Sequence, residues 1–223
     1  MNVVVVSPHP DDDAIGCGGT ICLHANKGDR VTVVYLSSGE LGLKHLPRDE
    51  AWRLREAEAE RCATILGLAR MHFLRHPDWD LNTLVEAVAA DLAPILEREA
   101  PKLLYLPHAG EGHPDHAVAL SVVRAAARGL GGAPPTLLTY EVWTPLADWY
   151  HVENITPVMR RKRAAICCHA SQVAQLPYQR ASLGLALYRG ATAGACRYAE
   201  IFQTAELAPQ RESPGQNVQA WAI

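Results

Sequence analysis

Two short segments of this chain combine histidine, proline and aspartate in a pattern typical of metal sites. They read HPDDD at residues 9–13 and HPDH at residues 113–116. Imidazole nitrogens and carboxylate oxygens suit Zn²⁺, and a catalytic zinc keeps three protein ligands and one open position. Residues three apart in a turn can face the same side. We therefore predict that His9, Asp12 and His116 hold one ion.

The other polar residues of the two segments suit hydrolysis of an amide. A bound metal lowers the pKa of its water towards about 7, and Asp11 is placed to take a proton as attack begins. Negative charge then builds on the carbonyl oxygen, where a hydrogen-bonding group contributes about 3 to 4 kcal/mol. We assign that role to His113, with Asp115 fixing its tautomer. Asp11 can afterwards return its proton to the leaving amine.

Three other interpretations of these segments are possible. For one segment alone, a helix-capping aspartate beside an exposed histidine is a sufficient explanation, but it is a poor one for both. A nucleotide-binding module is an alternative, because GCGG at residues 16–19 follows the first strand and Glu40 follows the second. The spacing is not G-x-G-x-x-G, however, and three aspartates would repel a pyrophosphate. A non-catalytic metal-binding or carbohydrate-binding protein would have no use for Asp11.

Length, charge and cysteine usage limit the class of protein. The chain has 223 residues and a net charge of −3, which predicts a single domain over residues 1–223 and no nucleic-acid partner. Apolar runs are too short for a membrane span of about 20 residues, and no signal peptide is recognisable. Six cysteines without framework spacing indicate reduced thiols. We expect a cytoplasmic protein. The sequence does not determine its oligomeric state, and a homo-oligomer is one alternative.

The elements that must position these residues alternate between apolar strands and amphipathic helices. That alternation predicts an α/β fold, a Rossmann-like three-layer sandwich with a mostly parallel sheet and helices on both faces. Ligands of such sheets bind beyond the carboxyl ends of the strands, where the winding reverses. The pattern weakens beyond Trp143. Strands are predicted at 2–7, 30–36, 71–74, 103–106 and 136–142, and helices before Gly28 and at 49–66, 81–96, 117–128 and 157–169.

The two segments also resemble the signatures of a known family. PHPDDDAIGCGGTI at residues 8–21 is close to the block PHPDDE-x-x-x-GGT of the LmbE-like (PIG-L) de-N-acetylases, and HPDH at residues 113–116 is their second signature. An Arg-Glu helix at residues 55–58 and YAEIF at residues 198–202 are weaker matches in the right order. The resemblance extends over most of the chain.

This resemblance implies a zinc-dependent enzyme that releases acetate and a free amine from an N-acetylated amino sugar, such as an N-acetylglucosamine conjugate. It implies one Zn²⁺ per chain, with Fe²⁺ as an alternative, and the same ligand, base and oxyanion roles as above. Arg55 and Asp80 match positions where relatives hold sugar hydroxyls, and Glu40 belongs to a Gly-Glu turn of the family. The alternative for Arg55 is a surface charge. His108 shares a loop with His113 and is expected to line the pocket.

Four further positions bear on substrate preference. Asp13 stands where relatives have glutamate, and Glu111 stands where many have aspartate. Neither is expected to contact a metal ligand. Trp79 and Trp143 lie at strand ends and are expected either to stack on a sugar face or to be partly buried against the loops.

Overall fold

The computed structural model describes residues 1–207, and residues 208–223 of the predicted domain lie outside the described part of the chain. The strands are β1 (Asn2–Ser7), β2 (Arg30–Ser37), β3 (Arg70–His76), β4 (Leu103–Pro107), β5 (Thr136–Tyr140), β6 (His151–Asn154) and β7 (Ala199–Ala205). The helices are α1 (Asp12–Asn26), α2 (Arg48–Leu66), α3 (Val85–Glu99), α4 (Pro114–Ala126), α5 (Met159–Cys168), α6 (Ala170–Val173) and α7 (Tyr178–Arg189). Short helical turns occur at Glu40–Leu43, Ala127–Gly129, Thr156–Val158 and Gly190–Gly194.

The sheet has seven strands in the order β3-β2-β1-β4-β5-β7-β6. The first five strands of this order run parallel, and β7 pairs antiparallel with both β5 and β6. The predicted α/β fold with a mostly parallel sheet is confirmed. Strands β6 and β7 were not predicted. Strand β6 is a four-residue edge strand with half-buried and exposed side chains, and polar residues at 200, 203 and 204 interrupt the apolar pattern of β7.

Both faces of the sheet are covered by helices. On β1, Val3 and Val5 pack into an apolar cluster with residues of α1, α2, α5 and α7. Val4 and Val6 point the other way, into a second cluster with residues of α3 and α4. Alternate side chains of a strand face opposite sides, so burial on both faces accounts for the uninterrupted run of valines. These are the three layers of the predicted sandwich.

The largest differences between predicted and observed helices are at the starts of α1, α3 and α4. Helices α1 and α4 begin earlier, at Asp12 and at Pro114, so both histidine-aspartate segments run into the first turn of a helix. Proline suits the first helical position, where its missing N–H costs nothing. Helix α3 begins later, at Val85, because residues 80–84 form turns in which the N–H groups of Thr83 and Leu84 donate to the carbonyls of Asp80 and Leu81.

The two segments meet because of the strand order. Strands β1 and β4 are neighbours in the sheet although they are separated along the chain. Their carboxyl ends lie at the same edge, at the point where the order reverses, which is where open α/β sheets bind ligands. The predicted placement of HPDDD beside HPDH is therefore produced by the topology. Among residues 1–207 there is no helix with the length and apolar character needed to cross a membrane.

Candidate active site

His9, Asp12 and His116 come together at this edge of the sheet and form the base of a pocket. His9 Nδ1 lies 3.1 Å from His116 Nε2. Asp12 Oδ2 lies 3.2 Å from each of these two nitrogens. Ligand atoms about 2.0 to 2.1 Å from a tetrahedral zinc are about 3.3 Å apart. The three buried side chains therefore fit one face of such a site, with a fourth position left over.

The second ring nitrogen of His9, Nε2, lies next to two other carboxylates. His9 Nε2 lies 3.0 Å from Asp78 Oδ1 and 3.3 Å from Asp115 Oδ2. A neutral imidazole has one N–H, and a proton on Nε2 leaves the lone pair of Nδ1 for a metal. His9, Asp78 and Asp115 could also hold an ion, but His9 would then lose the proton that fixes its tautomer. We therefore favour the set with Asp12 and His116.

The charges around these side chains favour a cation. Burial alone would lower the pKa of His9, but hydrogen bonds to Asp115, Asp12 and Asp78 raise it well above the usual value. Burial also opposes protonation of His116, whose pKa the Asp12 carboxylate nevertheless raises to about 9. Burial would raise the pKa of Asp12, yet His116 and His9 hold it well below its usual range. Positive charge is stabilised at this position, as a divalent metal requires.

Asp11 lies directly before the proposed ligand Asp12, where the chain enters α1. Its φ of 140° is unusual for a residue with a side chain, and such strain is common at functional sites. Asp11 Oδ1 lies 3.1 Å from Arg55 Nη2. Burial raises the pKa of Asp11 to about 7, against the opposing charge of Arg55. A carboxyl group that titrates near neutrality can both accept and return a proton.

His113 borders the same space and is oriented by the backbone. Its ring centroid lies 4.8 Å from that of His9 and 4.9 Å from that of His116. The backbone N–H of Asp115 donates to His113 Nδ1 at 3.2 Å, so the proton of a neutral ring is on Nε2. Burial and the nearby histidines lower the pKa of His113 to about 4. The ring is therefore a neutral hydrogen-bond donor through Nε2.

The structure corrects the predicted role of the Asp115 side chain. It does not contact the His113 ring, because Asp115 lies in the first turn of α4 and its carboxylate is directed elsewhere. Asp115 Oδ2 accepts from the backbone N–H of Trp79 at 2.8 Å and lies beside His9. Asp115 Oδ1 accepts from the N–H of Leu81. The carboxylate orients His9, and only the backbone of Asp115 orients His113.

Glu111 and His108 also differ from expectation. The buried Glu111 carboxylate accepts from the backbone N–H groups of residues 142–144 at 2.6 to 3.2 Å. Its Oε2 lies 3.7 Å from His116 Nδ1, so Glu111 is beside a ligand after all. His108 does not line the pocket described below, because its Nε2 donates to the Thr144 carbonyl at 2.7 Å. Both residues fix the segment that follows β5.

A pocket of about 610 Å³ opens above the base. Arg55 lines it but is 4% exposed, so the alternative of a surface charge is wrong. Its guanidinium donates to the carbonyls of Gly39 and Pro10 at 2.7 and 2.8 Å and also faces Asp11. The remaining lining residues include Asp78, Trp79, His113, Trp143, Gln172 and Tyr178, with Lys44 and His45 at the surface.

Asp80 and Glu40 do not line this pocket. Asp80 is exposed, because the chain turns at Trp79, whose φ is 71°, and places Asp78 inward instead. Asp78 Oδ2 accepts from the N–H of Leu41 at 3.0 Å, and Glu40 Oε1 accepts from the N–H of Asp78 at 3.2 Å. The missed residue is thus Asp78, whose inward direction depends on the positive φ of Trp79.

Asp13 is buried behind the base and does not contact the proposed ligands. Its Oδ2 accepts from the Tyr35 hydroxyl at 3.2 Å, and its backbone N–H donates to Ser7 Oγ at 3.1 Å. Burial raises the pKa of Asp13 to about 7. The residue joins the start of α1 to β1 and β2 rather than reaching the pocket.

Comparisons with known proteins place this arrangement in context. The family model described as PIG-L, GlcNAc-PI de-N-acetylase, matches residues 4–127. The diacetylchitobiose deacetylase of Thermococcus kodakarensis is 31% identical over 221 residues, covering 89% of this chain and 80% of that protein. A probable N-acetyl-alpha-D-glucosaminyl L-malate deacetylase 2 of Bacillus cereus is 30% identical, covering 77% of this chain and 83% of that protein.

Solved structures show the same fold. The N,N'-diacetylchitobiose deacetylase of Pyrococcus horikoshii superposes with a TM-score of 0.78 at 27% identity, over 92% of this chain and 83% of that one. The 4-carboxy-2-hydroxymuconate hydratase of Pseudomonas putida superposes with a TM-score of 0.77 at 26% identity, over 98% of this chain and all of that one. The similar structures thus include enzymes of two reaction classes.

Proposed function

This chain belongs to the PIG-L family of GlcNAc-PI de-N-acetylases, and we propose that it is a zinc-dependent hydrolase that removes the N-acetyl group from an N-acetylglucosamine conjugate. Acetate and a free amine are the products. The observation that carries this proposal is the triangle of His9 Nδ1, Asp12 Oδ2 and His116 Nε2, with sides of 3.1 to 3.2 Å. Asp11 lies directly beside it along the chain.

The zinc assignment follows from the donor set. Two imidazole nitrogens and one carboxylate oxygen are ligands that Zn²⁺ accepts in catalytic sites. Fe²⁺ accepts the same kinds of ligand, so it stays as the alternative. When bound, the ion supplies a Lewis acid that polarises the amide carbonyl and activates water. Six free cysteines in the chain support a reducing, cytoplasmic location as part of the same proposal.

Asp11 is the general base of this proposal. Its carboxylate takes a proton from the attacking water, a role that contributes about 10² to 10⁴ to the rate. Arg55 holds Asp11 Oδ1 at 3.1 Å and so fixes the direction of the free oxygen. After the tetrahedral adduct forms, the same carboxyl group can return the proton to the departing nitrogen. The sugar amine then leaves in neutral form.

His113 stabilises the charge that develops on the carbonyl oxygen. Its Nδ1 is occupied by the N–H of Asp115, and its Nε2–H is free to donate. A donor aimed at the oxyanion contributes about 3 to 4 kcal/mol to stabilisation of the transition state. Because the ring stays neutral above a pKa of about 4, it keeps this donor without becoming charged at neutral pH.

The proposal is tested by measuring metal content and released acetate on the same purified sample. We expect about one zinc per chain and acetate release from N-acetylglucosamine, its malate conjugate or N,N'-diacetylchitobiose. An Asp11→Asn variant is the matched control, since it removes the base and leaves the three ligands. Metal-loaded protein that releases acetate from none of these compounds would contradict the proposal.

Hydration of an unsaturated polycarboxylate is the second candidate. Two observations favour it: the likeness to the Pseudomonas putida hydratase spans almost the whole of both chains, and Lys44 is an exposed cationic residue at the pocket. Incubation with 4-carboxy-2-hydroxymuconate, followed by its ultraviolet absorbance, separates the two reactions. Rapid loss of that absorbance without acetate release from any sugar would favour the hydratase.

A further inference from the structure

The opening of the pocket is lined by aromatic side chains. We define the pocket mouth as Trp79, Trp143 and Tyr178, all of which line the same cavity as the proposed metal ligands His9 and Asp12. Aromatic faces stack on the apolar faces of ring compounds and bury large areas. The proposed deacetylation does not itself require these three residues. They are therefore candidates for a role in selecting the substrate.

Trp79 is placed in the mouth at an energetic cost. Its φ of 71° lies in the left-handed region, which is a rare conformation for a bulky residue. Its side chain is nevertheless 55% exposed, so it gains little from packing in the protein. Its ring centroid lies 4.4 Å from that of His113. Strain of this kind points to a functional constraint. The ring contact places Trp79 beside His113, the proposed oxyanion donor.

Trp143 and Tyr178 form the other part of the mouth. Their ring centroids are 5.0 Å apart, with 59° between the planes. Trp143 is 43% exposed, and Tyr178 is half-buried at the start of α7. Burial raises the pKa of Tyr178 to about 12, so its hydroxyl stays protonated and can donate a hydrogen bond. An apolar face and a polar donor together suit a sugar or another hydroxylated ring.

Both parts of the mouth are tied to the base by buried carboxylates. Asp115 Oδ2 accepts from the Trp79 N–H and lies 3.3 Å from His9 Nε2. Glu111 accepts from the Trp143 N–H and lies 3.7 Å from His116 Nδ1. Each tryptophan backbone is thus fixed by a carboxylate that also touches a proposed metal ligand. A ring held at the mouth therefore has a defined position relative to the reaction centre.

We propose that Trp143 and Tyr178 bind the ring that follows the N-acetylated sugar, while Trp79 packs on that sugar itself. The inference rests on the proposed function and names its substrate class: a conjugate whose second part is a hydroxylated ring, either a sugar or a cyclitol, and not an acyclic acid. Trp79 is assigned to the reacting sugar because it contacts His113. Trp143 contacts Tyr178 instead, so these two rings are assigned to the second part of the conjugate.

The test compares two N-acetylglucosamine conjugates that differ in the part beyond the sugar. The probes are N,N'-diacetylchitobiose, with a second ring, and N-acetylglucosaminyl malate, with an acyclic acid. For Trp143→Ala we expect the ratio of kcat/KM values, ring over acyclic, to fall about tenfold, mostly through KM for the disaccharide. Trp143→Phe keeps an aromatic face and should restore most of the ratio. Trp79→Gly, which relieves the φ of 71°, should lower both kcat/KM values by a similar factor.

Tryptophan fluorescence measures the contact of Trp143 with the second ring without depending on turnover. Zinc-loaded Asp11→Asn protein, which lacks the proposed base, should show a larger fluorescence change with N,N'-diacetylchitobiose than with the malate conjugate. Trp143→Ala in the same background should remove this difference and keep the change that both probes produce through Trp79. Wild-type protein that shows this difference but releases no acetate would overturn the proposed function and support the ring subsite. Deacetylation with an unchanged substrate ratio in Trp143→Ala, or with no Trp143-dependent fluorescence difference, would overturn the subsite alone.

Discussion

The base and the mouth of the pocket differ in how deeply their side chains are buried and in how many protein groups these side chains contact. At the base, His9, Asp12 and His116 are 7%, 2% and 0% exposed. Asp12 Oδ2 faces both histidines and also accepts the N–H of His9. At the mouth, Trp79 and Trp143 are 55% and 43% exposed. Their backbones are anchored, whereas their rings contact only His113 and Tyr178 among the aromatic residues of the described chain.

This difference separates the chemistry from the choice of substrate. A side chain at the base contacts several charged partners, so its loss changes the reaction for every substrate. A ring at the mouth contacts few protein groups, so its removal weakens only the binding of the part of the substrate that it covers. Substitutions at the base should therefore lower all activities together, as should those of Trp79, which covers the sugar that all substrates share. Substitutions of Trp143, which covers the second ring, should change the ratio of activities. The following variants test the first half of that contrast.

The largest effect is expected for His116→Ala. Removing one of three ligands should reduce bound zinc to a small fraction of one per chain and abolish acetate release from every substrate. Atomic emission on the purified variant measures the metal. A matched control is His24→Ala, which removes a buried histidine in the last turn of α1, where its partners are Asp29 and Tyr105. A full zinc complement in His116→Ala would exclude it as a ligand and break the contrast.

Asp11→Asn should have the next largest effect. The amide cannot accept a proton, so we expect kcat to fall by about a hundredfold or more, equally for the disaccharide and the malate conjugate. The zinc content should stay near that of the wild type, because Asp11 is not one of the three ligands. Near wild-type turnover would remove Asp11 from the role of base. Loss of zinc would instead show that it belongs to the ligand set.

Smaller effects are expected for the carboxylates that connect base and mouth. Asp115→Asn and Glu111→Gln keep side-chain size but weaken the contacts to His9 and His116. Loss of such supporting contacts typically lowers metal affinity by about 10- to 100-fold, which competition with a chelator measures. Because Glu111 also holds the Trp143 backbone, Glu111→Gln should shift the substrate ratio as well. Asp115→Asn should leave the ratio unchanged, because Asp115 holds the backbone of Trp79. A changed ratio with unchanged zinc affinity would show that only the link to the mouth matters.

The contrast also explains which features the sequence could predict. The three candidate ligands follow from two local patterns at strand ends, and the parallel sheet fixes where strand ends meet. Asp78 could not be distinguished from Asp80 in the same way. Which of the two points inward depends on the left-handed conformation of Trp79, which no residue pattern predicts for a tryptophan.

Long-range contacts were the other source of error. The Asp115 carboxylate contacts residues far away along the chain rather than its neighbour His113. Glu111 likewise reaches the segment after β5. Strand β6 was missed because it is a short edge strand without an apolar pattern, and β7 was missed because polar residues interrupt its apolar pattern. Local spacing therefore predicted the base well, whereas the support of the mouth depends on tertiary contacts.

The smallest effect concerns the buried support of the mouth. The His169 side chain is 1% exposed, and its ring nitrogens have no hydrogen-bond partner within residues 1–207. Its carbonyl accepts from the N–H groups of Gln172 and Val173, at the turn that leads to Tyr178. Burial lowers the pKa of His169 to about 3. In the unfolded chain, the pKa of histidine is about 6.5.

In the unfolded state, His169 is therefore protonated below about pH 6.5, whereas in the folded state it stays neutral down to about pH 3. The stabilising contribution of neutral His169 is complete above pH 6.5 and decreases as the pH falls, by about 2 kcal/mol between pH 7 and pH 5. His169→Leu should lose this part of the pH dependence and cost little at pH 7, since no hydrogen bond is removed. Urea denaturation at both pH values measures the free energy of unfolding, with His45→Leu, at an exposed histidine, as the control. Equal pH dependence in wild type and His169→Leu would show that the support of the mouth does not depend on the protonation of this residue.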